Sequence, residues 1–132
     1  MMNTKLDKIL AEISAGELID KIAILEIKKI KITDAKKLKE VDKELISLNK
    51  TMKNFIKDES VIVNLKEKLK KINLRLWDIE DAKRNAEKNS DFGEKFIKLA
   101  RDVYKFNDER ARIKSEINLI LNSNIREVKS HF

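Results

Sequence analysis

Three consecutive stretches of this chain repeat one spacing, and that spacing decides most of what the chain can fold into. Apolar residues fall at Leu38, Val41, Leu45, Leu48, Met52 and Phe55, then at Ile62, Leu65, Leu69, Ile72, Leu76 and Ile79. A third set runs through Phe96, Leu99, Val103, Phe106, Arg110, Ile113, Ile117 and Ile120, with one charged residue inside it. Steps of three and four keep side chains on one stripe of an α-helix. Stripes of this kind pack at shallow angles, as in coiled coils and four-helix bundles. The 132 residues include no proline and only Gly16 and Gly93, so little interrupts a helix. The predicted fold is all-α: an antiparallel up-down bundle of three to four long helices with coiled-coil-like seams. It is expected to form one domain over residues 1–132, with helices at about 15–31, 34–56, 60–89 and 93–122.

Local signals mark the helix ends. Ser14-Ala15-Gly16-Glu17 has the form of a capping box, in which the Ser hydroxyl accepts from the Glu17 amide and Glu17 reaches back to the Ser14 amide. Thr33 or Asp34 can cap the second helix, and Asp91 with Glu94 the fourth. Residues 4–13 fit either a short helix (Leu6, Ile9, Leu10, Ile13) or a strand (Ile9, Ala11, Ile13), the strand pairing with Ile125 and Val128 of the tail. Short connections set neighbouring helices antiparallel. That places Leu38 beside Ile79, Leu45 beside Ile72, Met52 beside Leu65, and Ile72 near Arg110.

Charge narrows the functional classes. The net charge is +7, carried by 24 Lys and 6 Arg. The lysines are spread along the chain among acids, and the arginines suited to forked phosphate or base contacts are not clustered, so specific nucleic-acid binding is disfavoured. Absence of cysteine excludes disulfides and thiolate chemistry. No stretch approaches the ~18 uncharged residues of a membrane span, and a cytoplasmic location is expected. His131 is the only histidine. It leaves no Ser-His or Cys-His pair and no Glu-x-x-His motif for a di-metal bundle, and there is no glycine-rich phosphate loop. No cofactor, metal or catalytic residue is therefore expected.

Two polar residues sit where an apolar pattern does not want them. The first helix has a wide apolar arc of Leu18, Ile19, Ile22, Ala23, Leu25, Ile27 and Ile30, and Glu26 falls inside it. Arg110 occupies a seam position. A lone buried charge costs several kcal/mol, so each needs a partner. The antiparallel levels predict a Glu26–Arg110 ion pair, with Trp77, Tyr104 and Asn107 nearby; these five form the candidate polar cluster. Asp20, Lys21, Glu80 and Asp81 read as exposed helix-face charges. Gly16 leaves the first turn sterically open to an anion, but an unremarkable first turn is the favoured reading.

Two stretches carry a family resemblance. One is Ser14-Ala15-Gly16-Glu17-Leu18-Ile19-Asp20-Lys21-Ile22. The other is Leu76-Trp77-Asp78-Ile79-Glu80-Asp81, followed by Asp91-Phe92-Gly93, Phe96, Val103-Tyr104 and Asn107-Asp108-Arg110. Together they resemble a family of small bacterial proteins known only as a domain of unknown function, over about residues 9 to 130. The resemblance implies no activity, cofactor or catalytic residue. The leading expectation is a non-enzymatic interaction or accessory module, partnering itself or another helical protein through an apolar stripe left uncovered. The alternative is an enzyme or small-molecule binder holding an anionic ligand on Glu26, Trp77, Tyr104, Asn107 and Arg110.

Overall fold

In a computed structural model the described residues are 4–130; His131 and the end of the tail at Phe132 lie outside them. The chain is all-α, with α1 at Ala15–Lys31, α2 at Ala35–Phe55, α3 at Val63–Lys88 and α4 at Glu94–Ile120. A single 3-10 turn, Glu59–Ile62, leads into α3. Ser14 and Asp34 cap α1 and α2 through their side-chain oxygens. The Asp91–Glu94 cap is not formed as expected: Gly93 is the N-cap of α4, and the Asp91 carboxylate accepts from the Gly93 amide at 3.3 Å instead of from the first turn of the helix. Both α3 and α4 end with a residue in the left-handed region, Ser90 and Asn122. The amide beyond each bonds back five residues, Asp91 to Ala86 and Ser123 to Asn118, which satisfies carbonyls left over at the helix end.

The wide apolar arc makes α1 the centre of the molecule. It packs closely against α2, α3 and α4, whereas among the described residues α2 approaches α1 alone and has no Cα within 8 Å of α3 or α4. The expectation that α2 lies directly beside α3 is thereby corrected. Ile19, Ile22, Leu25, Val41, Leu45, Met52, Leu65, Leu69, Ile72, Ile113 and Ile117 all belong to one buried cluster. The α2 and α3 stripes thus contribute to the same core from either side of α1. At the end of α2 the stripe turns outward at Phe55, and Ile56, one residue past the helix, is buried in its stead.

Polar contacts fix how α1 lies on the others. Gly16 meets Asn118, Glu17 meets Lys114 and Asp20 meets Arg110, so partner numbers on α4 fall as those on α1 rise. Against α3 there is no such slide: Asp20 meets Asn73, Glu26 meets Lys66 and Lys70, and Lys31 meets Asp78. That is the pattern of a helix crossing α3 obliquely. Residues 4–13 form neither helix nor strand, and no strand occurs among the described residues. The segment still lies beside the tail, where the Asn124 amide donates to Glu12 at 2.6 Å.

Candidate functional site

The most developed polar arrangement follows the α1–α4 contact. Asp20 is fully buried at 0% exposure. Arg110 grips it through both Nε (3.0 and 3.1 Å) and Nη2 (2.6 Å), a forked, charge-assisted geometry. Asn73 Nδ2 donates to the same carboxylate at 2.8 Å, and Lys114 Nζ stands 4.0 Å away. Lys114 also reaches Glu17 at 2.5 Å. Two acids and two bases thus neutralise one another inside the contact. No buried side-chain nitrogen or oxygen among the described residues lacks a partner. A satisfied network of this kind rigidifies a helix contact and specifies its register.

One turn earlier the start of α1 is held in the same manner. The Ala15 amide donates to Ser123 Oγ (3.0 Å), the Gly16 amide to Asn118 Oδ1 (2.6 Å) and the Glu17 amide to Ser14 Oγ (3.0 Å). Ser14 Oγ in turn donates to Glu127, which also accepts from Asn118 Nδ2 at 3.1 Å. Burial pushes the Glu127 carboxyl up, but the bonds from Ser14 and Asn118 and the nearby Lys114 charge outweigh it and hold the group below its ordinary range.

This corrects the capping box and decides between the two readings of the first turn. The first turn of α1 is not open to an anion, because its amides already bond to protein oxygens. Gly16 is glycine for another reason: an added Cβ would collide with the Lys114 carbonyl oxygen and lie 3.0 Å from Asn118 Oδ1. The capping box is formed only in part. Ser14 accepts from the Glu17 amide, but the Glu17 carboxylate turns to Lys114 at 2.5 Å and Lys21 at 3.9 Å.

Of the five cluster residues, Arg110 does have a buried acidic partner, but it is Asp20. Glu26 binds Lys70 at 3.0 Å and Lys66 at 3.3 Å. The oblique crossing explains the exchange, since it carries the end of α1 away from Arg110 and toward the lysines of α3. Desolvation raises the Glu26 carboxyl, and the Lys70 hydrogen bond with the Lys66 and Lys70 charges more than reverses this, leaving it below its ordinary value. Trp77 and Asn107 are half-buried and Tyr104 is exposed. No hydrogen bond or ion pair links any two of the five. Lys21, Glu80 and Asp81 are exposed, whereas Asp20 is not.

Asp20, Asn73, Lys114 and Asn118 are the residues that reasoning from sequence missed. A weak signal existed for each: Asn73, Lys114 and Asn118 directly follow the seam residues Ile72, Ile113 and Ile117, and Asp20 lies between Ile19 and Ile22 in the wide arc. Both Asp20 oxygens are engaged by Arg110, and Asn73 adds a further bond to Oδ1. Among the described residues no group of three or more His, Asp or Glu side chains is gathered for a metal ion. Two shallow surface depressions occur elsewhere. One lies along a single face of α4 (Ile97, Lys98, Arg101, Asp102) and the other between α1 and α2 (Leu25, Lys28, Val41, Glu44). Neither includes any of the five cluster residues. No helix of the described residues is long and apolar enough to cross a membrane.

No curated protein and no solved structure matches the chain. A family profile does match, over residues 9–132, and the chain thereby belongs to a family of unknown function, DUF6165.

Proposed function

We propose that this protein is a non-enzymatic interaction module that associates with a second copy of itself through its N-terminal arm. The observation that carries this reading is the exposure of the arm. Leu6, Ile9 and Leu10 are 76%, 82% and 87% exposed within five residues, ahead of a half-exposed Ile13. Clustered large apolar side chains on a surface mark association sites, whereas singly scattered ones do not. The exposed apolar residues of α2 and α3, such as Ile46, Phe55 and Leu74, are of the scattered kind. Val128 and part of Ile125 add exposed apolar surface on the tail, whose Asn124 meets Glu12 of the arm.

Charge selects the second copy as the partner. Lys5 and Lys8 balance Asp7 and Glu12, so the arm is neutral on a chain of +7. Two copies meeting there avoid most of their mutual repulsion. Leu6, Ile9, Leu10 and Ile13 have helical spacing, so folding the arm as a helix against its twin would gather all four on one face. The ligand-binding alternative has less support, because the Arg110 charge it relies on is already neutralised by Asp20.

Light scattering across a concentration series tests the proposal. The expected mass is twice the monomer's 15.4 kDa, falling to the monomer value in a Leu6→Asp/Ile9→Asp/Leu10→Asp variant. A monomeric wild type throughout the series would overturn it.

A further inference from the structure

The outer face of α2 carries a feature that the apolar arm leaves unexplained. Lys36, Lys39, Lys43, Lys50 and Lys53 recur at helical spacing, with Ile46 filling the one gap. At 3.6 residues per turn these six positions fall within an arc of about 100°, and the row extends about 26 Å along the helix. Every one of the six is exposed, and none of the five lysines is engaged in an ion pair or side-chain hydrogen bond. The opposite face holds the buried Val41, Leu45 and Met52, so the row points away from the core.

From this geometry we propose that the outer face of α2 binds a flexible linear polyanion, a chain of phosphate groups, through charge alone. Three features select that ligand. Lysine ammoniums are point charges without the arginine fork, and no aromatic side chain stands in the row to stack on a base, so recognition is of charge and not of bases. Glu40 and Glu44 border the row on one side and Asp42, which pairs with Lys29 at 3.2 Å, on the other. A flat anionic membrane would press against those acids as well, whereas a single thread lying along the lysines avoids them. Ile46 is the only apolar side chain in the row, too little to anchor the helix in lipid.

Inorganic polyphosphate of medium chain length is the probe, titrated into the whole protein by calorimetry. Binding is expected at ~50 mM salt and should weaken about 100-fold by ~200 mM, the slope for about five neutralised phosphates on a flexible single chain. Lys39→Gln/Lys43→Gln/Lys50→Gln/Lys53→Gln should lose at least ~10-fold in affinity. Lys68→Gln/Lys71→Gln/Lys88→Gln/Lys95→Gln makes the same change in net charge on exposed positions of α3 and α4, and should stay within about twofold. Circular dichroism checks that both variants remain helical. Equal losses in the two variants would overturn the proposal, since net charge and not the row would then govern binding. It would equally be overturned by no binding at low salt, by tighter binding to single-stranded DNA of matched charge, or by binding to phosphatidylserine vesicles in place of polyphosphate.

Discussion

Asp20 and Glu26 sit under two turns apart on the same helix, yet their surroundings differ in kind. Asp20 is sealed between α1, α3 and α4, gripped by a guanidinium fork and an amide. Glu26 lies at the rim of the α1–α3 contact, still part-exposed, with two flexible lysines. A short acid in a close helix approach needs a rigid planar partner, because it cannot move to find one. A longer acid at an edge is served by mobile ammoniums, and water solvates the remainder. The first arrangement fixes where a helix lies; the second contributes little to position.

Arg110→Ala breaks the contrast most sharply. It leaves Asp20 buried without its fork and should cost about 3 kcal/mol, the lower end for a broken buried pair, because Lys114 is close enough to swing in. Urea unfolding gives the value, and a loss below ~1 kcal/mol would place Asp20 among surface acids. Gly16→Ala should destabilise by about 1–3 kcal/mol, since its methyl must push α1 off the Lys114 carbonyl. An unchanged melting temperature there would mean that the helices are not in close approach. Ser14→Ala removes both the cap on Glu17 and the bond to Glu127, for about 1 kcal/mol.

Glu26→Gln marks the other side of the comparison and should shift stability by less than ~1 kcal/mol, as exposed ion pairs do. Its pH dependence is the finer test. Glu26 and Glu127 both titrate lower in the folded protein than the ordinary 4.5 of a free Glu. The stability they supply is complete above that value and lost as pH falls through the folded values. Acid melts of wild type should therefore drop more steeply below about pH 4.5 than those of a Glu26→Gln/Glu127→Gln variant. Parallel curves would contradict the lowered values.

The helical class was legible in the three-four stripes, because a periodic apolar face has few alternatives to burial. Angles between helices were not, since the same stripe serves a parallel seam or an oblique crossing. The polar site suffered from this directly. Arg110 was recognisable from its seam position alone as a charge that needs a partner in the helix contact. Choosing Asp20 over Glu26 required knowing that α1 swings across α3, which no local spacing encodes. Gly16 was conspicuous as one of only two glycines. Its reason lies about a hundred residues away in the α4 backbone, beyond what spacing near Gly16 can reveal.

A pair of double-mutant cycles bears most directly on the claim that Asp20 and Arg110 hold α1 in place. Asp20→Asn with Arg110→Gln should give a coupling of at least ~2 kcal/mol, and Glu26→Gln with Arg110→Gln should give less than ~0.5 kcal/mol. The reverse ranking, with Glu26 the coupled partner, would contradict the account.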